Sequence, residues 1–278
     1  MQGKTVVLTG ASGGIGRELT KILINKYGAN VIGIGRSENK MKSLVKELGE
    51  NAHLFSYQTF DVSNKTNWTS FALFLKEQKI TPILLINNAG VFPTFARVEN
   101  TPPEQMETVL KINYMATMYA VNELSPLLVG DKKNLPAIVN VSSSAALCTV
   151  VGTAAYSASK AALKGYTEAL QMEERGKKHV GIVYPGTTKT ELFRNDKNTE
   201  NSALDLIAMP AEKMAKKIAK TILKKRKRAV LGWDAKLMNL TAKLMPVKGL
   251  ALIAWVMKIS KSKVFSNVFT TKRSEEEK

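Results

Sequence analysis

A glycine-rich turn stands between a short apolar run at residues 5–8 and a segment of helical period marked by Leu19, Ile22 and Leu23. The turn reads Thr9-Gly10-Ala11-Ser12-Gly13-Gly14-Ile15-Gly16. Glycine lets backbone approach a ligand closely, and the helix that follows offers unpaired N–H groups and the positive end of its dipole to a pyrophosphate. The spacing is T-G-x-x-x-G-x-G rather than the commoner G-x-G-x-x-G. A ligand-free glycine turn is the competing reading, and the strand–turn–helix setting argues against it.

The rest of the chain repeats that alternation. Apolar, β-branched runs lie at 30–34, 54–60, 83–86, 137–141 and 180–184, with a seventh at 229–231, and amphipathic stretches separate them. Strands alternating with helices predict βαβ units around a buried parallel sheet. The expected fold is therefore α/β: one Rossmann-like, doubly wound domain of about seven strands over residues 1–233, with a helical C-terminal extension over 234–278. A polar stretch at 195–202, after Pro185-Gly186, reads as a mobile loop over a site. A lone cysteine, Cys148, excludes an internal disulfide, and two histidines, His53 and His179, make a metal centre improbable. No secretory signal precedes the first strand, and the longest apolar run, 250–257, is too short to span a bilayer, so a cytoplasmic location is expected.

The second strand ends in Gly35-Arg36-Ser37, with no carboxylate to bond a ribose 2′-hydroxyl. Arg36 can pair with a 2′-phosphate, which favours NADP(H) over NAD(H), although Glu38 weighs mildly the other way and a solvated surface arginine is the bland alternative. Tyr156 and Lys160 lie four apart, on one face of a helix. A neighbouring ammonium is expected to lower the phenol's pKa and make proton exchange with a substrate oxygen feasible. A core tyrosine beside a surface lysine gives the same spacing. Ser142, Ser143 and Ser144 close the fifth strand, at the edge where such sheets bind ligands, and all three compete to polarise a carbonyl.

Taken together these motifs resemble the short-chain dehydrogenase/reductase family. The match runs through Thr9, Gly10, Gly14 and Gly16, then Asp61-Val62, Asn87-Asn88-Ala89-Gly90, Tyr156-Ser157-Ala158-Ser159-Lys160 and Pro185-Gly186 with Thr190, over roughly residues 4–233. The resemblance selects Ser143 among the serines and implies a catalytic set of Tyr156, Lys160, Ser143 and Asn113. Asn113 would bend its helix and hold a water near the lysine. The implied cofactor-binding set is Thr9, Gly10, Ser12, Gly13, Gly14, Ile15, Gly16, Arg36, Asp61, Val62, Asn88, Ala89, Gly90, Tyr156, Lys160, Pro185, Gly186, Thr188 and Thr190. The implied activity is NADPH-dependent reduction of a ketone or aldehyde, with Tyr156 as general acid. Apolar residues expected at the pocket, namely Val91, Phe92, Pro93, Phe95, Leu147, Val150, Val151, Leu192 and Phe193, favour a lipid-like, acyl, steroid or aromatic substrate. The alternative of another class is a regulatory or scaffolding protein that binds NADP(H) and interacts through its tail.

Charge distinguishes that tail. Of a net +18, residues 213–263 hold +14, from 15 basic residues and the single acid Asp234. Leu237, Leu240 and Leu244 form one helical stripe, ended by Pro246, and Leu250, Ile253 and Met257 a second, with Trp255 and flanking lysines 248, 258 and 261. Two readings stand nearly level. Either the stripes fold onto the protein or a second subunit, or residues 213–263 bind an anionic membrane surface, placing the protein peripherally at a membrane's inner face. The run at 224–228 is a weak argument for nucleic acid, an unlikely partner without an aromatic stacking array. The resemblance also implies a homodimer through the fourth and fifth helices.

Overall fold

The computed structural model describes residues 1–131, 134–193, 207–260 and 262–269. The stretch read as a mobile loop at 195–202 and Lys261 lie outside them. Seven parallel strands form the sheet: β1 Thr5–Thr9, β2 Asn30–Gly35, β3 Phe55–Thr59, β4 Leu84–Asn87, β5 Ala137–Val141, β6 His179–Pro185 and β9 Arg228–Leu231. Their order is β3-β2-β1-β4-β5-β6-β9, and each expected strand lies within two residues of its observed bounds. The order reverses between β1 and β4, which opens a crevice at their carboxyl ends. A short pair, β7 Thr188–Lys189 with β8 Met209–Pro210, was not foreseen.

Helices cover both faces, because the central strands β1 and β4 to β6 are largely apolar on both sides. Val6 and Leu8 of β1 point into one layer with α1 Gly14–Asn25, α2 Glu38–Leu48 and α7 Ala211–Leu223. Met214, Ile218 and Ile222 form the buried stripe of α7, as its spacing predicts. Val7 points the other way, towards α3 Lys65–Glu77, α5 Ala116–Leu124 and α6 Ala154–Glu173. Pro103–Leu110 forms α4, which a π-helical turn at Lys111–Met115 joins to α5.

After Gly232, whose φ of +115° turns the chain out of β9, come α8 Trp233–Leu244, α9 Lys248–Ile259 and the short α10 Ser266–Phe269. Part of this extension is core: Met257, Val264, Phe265 and Val268 share a cluster with Phe92, Phe95 and Tyr156. Of the two nearly level readings of the apolar stripes, folding of the first stripe onto this chain's own domain is not what the structure has. Leu237, Leu240 and Leu244 are exposed, because the buried side of α8 is Asp234 and Ala235. Among the described residues no helix is long and apolar enough to cross a membrane.

Candidate active site

The glycine turn follows from sterics. Gly10 has φ +67° and Gly14 φ +42°, a left-handed backbone that glycine adopts without penalty. A Cβ on Gly16 would overlap the Gly10 carbonyl oxygen, so the turn and the first turn of α1 close only over glycine. Gly13 caps α1 without a side chain and no acid lies in its first turn, which leaves its amide groups available to an anion. Thr9 Oγ1 accepts from the backbone N–H groups of Asn88 and Ala89, each at 2.9 Å, and Asn88 Nδ2 donates to the Thr9 carbonyl at 3.1 Å. These bonds tie β1 to the turn after β4 at the reversal point.

A cavity of about 690 Å³ opens there. Gly10, Ser12, Gly13, Gly14, Ile15, Arg36, Asp61, Val62, Asn88, Ala89, Gly90, Ser143, Tyr156, Lys160, Pro185, Gly186, Thr188 and Thr190 all line it. Thr9, Gly16 and Asn113 stand behind the wall and shape it. Ser37, Lys40 and Glu191 also line it and were missed. Lys40 is in the first turn of α2, where side chains lean back towards the strand end, and its ammonium pairs with Glu191 across the mouth. The signal in the sequence was a second cation four residues after Arg36. Glu38 instead pairs with Lys42 at 2.9 Å, away from the cavity.

Tyr156 and Lys160 enter from α6, and Ser143 from the end of β5. Burial pushes the Tyr156 phenol above its ordinary value, and the neighbouring Ser143 hydroxyl opposes the shift. Lys160 is only 4% exposed, and burial lowers its ammonium to about 8. Its Nζ donates to the Val141 carbonyl at 3.1 Å and lies 5.9 Å from the Tyr156 ring centre. Burial outweighs the lowering expected from Lys160, so the tyrosine holds its proton.

Asn113 sits in the π turn. Its Nδ2 donates to the Val91 carbonyl at 2.9 Å and to Ser159 Oγ at 3.1 Å, and its Oδ1 accepts from Val91 N at 2.7 Å. Ser159 Oγ donates in turn to the Tyr156 carbonyl at 2.7 Å. One amide therefore fixes both the 88–91 turn and the start of the helix that carries Tyr156. Asn113 Oδ1 and Lys160 Nζ would lie 3.2 and 3.3 Å from a Cβ on Gly90, so that glycine admits both.

The apolar side of the site differs from expectation. Val91 and Leu192 line the cavity, but Phe92 and Phe95 are core. Phe92 packs edge-on against Tyr156 at 5.2 Å, and Phe95 against Phe265 of the extension at 5.0 Å. Aromatic rings gain more from that contact than from lining water, so they hold the tyrosine ring rather than a ligand. Thr190 packs on Gly14, where a Cβ would come within 2.8 Å of Thr190 Cγ2.

The cradle fits a nicotinamide dinucleotide. Bare amides of α1 would meet a pyrophosphate, with Arg36 and Lys40 on the wall beside β2 and Tyr156, Lys160 and Ser143 on the wall formed by β5 and α6. Among the described residues there is no cluster of three or more His, Cys, Asp or Glu suited to a metal.

Comparison with known proteins agrees with this geometry. The family model described as short chain dehydrogenase matches residues 4–201. The chain is 27% identical over 258 residues to 3-ketodihydrosphingosine reductase of Bos taurus, covering 89% of this chain and 77% of that one. It is 31% identical over 191 residues to NADPH-dependent pterin aldehyde reductase of Arabidopsis thaliana, covering 68% and 77%. Among solved structures, a short chain dehydrogenase from Burkholderia cenocepacia J2315 in complex with NADP superimposes with TM-score 0.75 at 24% identity, over 91% of this chain and 98% of that one.

Proposed function

The chain belongs to the short-chain dehydrogenase family of oxidoreductases, and from that premise we propose that it reduces the carbonyl of an apolar ketone or aldehyde with NADPH as hydride donor. The observation that carries this reading is the buried Tyr156, with Lys160 one helical turn on and Ser143 on the same cavity wall, at a cavity that also presents Arg36 and Lys40. The likeness to relatives named for a ketone and an aldehyde reductase supports carbonyl reduction.

When bound, the cofactor supplies the hydride. Gly13, Gly14 and Ile15 offer α1 amides to its pyrophosphate, and Arg36 and Lys40 offer cations to a 2′-phosphate. Ser143 donates a hydrogen bond to the substrate oxygen, so negative charge developing there is met by a dipole already in place. Tyr156 then gives its proton to that oxygen. The Lys160 ammonium, one helical turn away, steadies the phenolate left behind. Thr190, packed on Gly14, fixes the wall beside the glycine turn. Val91 and Leu192 give the substrate side its apolar character.

NADPH and NADH oxidation by the purified chain, against long-chain ketones, β-ketoacyl thioesters, steroids and aldehydes, tests this. Turnover of an apolar carbonyl with kcat/KM at least about tenfold higher for NADPH is expected where the second strand leads into Arg36 rather than a carboxylate. Tight NADPH binding with no turnover of any class would transfer the site to the regulatory reading.

A further inference from the structure

The extension carries a surface that the reaction does not use. Trp233, Leu237, Leu240 and Leu244 form an exposed stripe along α8. Met245 and Val247 continue it around the corner, and Leu252, Trp255, Val256 and Ile259 extend it along α9. Leu244 and Val247 are 72% and 79% exposed. Contiguous apolar surface on this scale marks an interaction site rather than ordinary exposure. The opposite side of α9 is different: Met257 is buried and Ile253 partly so, in the cluster that holds Tyr156. The helix pair is therefore anchored on one side and uncovered on the other.

Charge identifies the occupant. Lys236, Lys243, Lys248 and Lys258 border the apolar face, and none has an ion-pair partner among the described residues. The one carboxylate in the pair, Asp234, is buried and accepts from Thr187 N. Arg228, last of the 224–228 run, hydrogen-bonds Asn239 on α8 at 3.1 Å and brings its charge against the same helix. A second copy of the chain would set lysine rim against lysine rim with no exposed carboxylate to pair them. A lipid surface with anionic headgroups satisfies both features, taking the apolar side chains below the headgroups and the ammonium groups among them. Tryptophans at such a depth place an apolar ring and a polar N–H at the boundary that suits each.

We propose that α8 and α9 together dock the protein on an anionic bilayer, lying in its interface without crossing it. The buried side of α9 shares a cluster with Tyr156, so docking would place the bilayer beside the part of the protein that carries the proposed site. That last step rests on the proposed carbonyl reduction, whereas the docking stands without it.

Flotation of the full chain with phosphatidylcholine vesicles, with and without phosphatidylglycerol, tests the docking, and tryptophan fluorescence follows it. Trp233 and Trp255 are exposed and Trp68 is buried, so a blue shift reports on the helix pair. The expected result is binding to anionic vesicles on the order of a hundredfold tighter than to neutral ones, with a blue shift, weakened by salt. Leu240→Asp with Leu252→Asp should abolish binding and the shift while leaving the thermal midpoint in place, since both side chains face solvent. Lys243→Glu with Lys258→Glu should remove the preference for anionic vesicles. Failure of the wild-type chain to bind either vesicle overturns the proposal. So does a dimer in solution that the leucine variant dissociates, which would make the face a contact between copies. Vesicle binding without turnover would count against carbonyl reduction alone, and turnover without vesicle binding against the docking alone.

Discussion

Asp234, in the first turn of α8, accepts a hydrogen bond from the backbone N–H of Thr187 at 2.6 Å. Thr187 follows Pro185-Gly186, which lines the cofactor cavity, and a Cβ on Gly186 would overlap the Asp234 carboxylate. The C-terminal extension is thereby fastened to the loop that shapes the cavity. Asp234→Ala should cost about 1.5–3 kcal/mol, the range for a hydrogen bond to a charged group, and raise the dissociation constant for NADPH several-fold. Thermal unfolding and a fluorescence titration check both. An unchanged affinity would uncouple the extension from the site.

Arg36 and Lys40 flank one end of the cavity while Glu38 turns away to Lys42. Arg36→Asp should lower the ratio of kcat/KM for NADPH over NADH by about tenfold or more, since a carboxylate repels a 2′-phosphate and bonds a 2′-hydroxyl. Steady-state rates with both cofactors measure it. An unmoved ratio would mean that Arg36 does not meet the ribose.

Burial holds Lys160 at about 8, below its ordinary 10.5, so the folded protein releases that proton more readily than the unfolded chain. The ammonium supports the phenolate that forms as Tyr156 gives up its proton, so the charged form is the useful one. The kcat/KM for reduction should therefore be level below pH 8 and fall as pH rises through about 8. Lys160→Arg, if it folds, should move that fall to higher pH because guanidinium stays charged. A profile rising through the same window would reverse the assignment. Stability moves the opposite way: between about 8 and 10.5 the unfolded chain binds more protons, so this group's contribution increases with pH and is lost as pH falls through about 8.

Much of this architecture is legible in the residues, and the exceptions have physical causes. Strands such as 137–141 stand out because a parallel strand buried on both faces is mostly apolar, and the glycine turn because Gly10 and Gly14 take a left-handed backbone and a Cβ on Gly16 would overlap the Gly10 carbonyl. The π turn at Lys111–Met115 is hidden, since one extra residue in a helical turn scarcely alters an apolar stripe. Phe92 and Phe95 mislead because an apolar residue beside a site reads the same whether it faces the ligand or supports the wall. Lys40 escapes because its approach depends on how α2 leaves β2. In the tail, spacing reveals the stripe of Leu237, Leu240 and Leu244, but only tertiary packing decides whether anything covers it.

In the proposed reaction Tyr156 delivers the proton that completes carbonyl reduction. Tyr156→Phe removes one hydroxyl, keeps the ring against Phe92, and leaves the glycine turn and Arg36 untouched. NADPH oxidation by this variant, set beside its NADPH affinity, is the most direct measurement. The expected result is a loss in kcat of about 10²–10⁴-fold with affinity nearly unchanged. Turnover at the wild-type rate would contradict it.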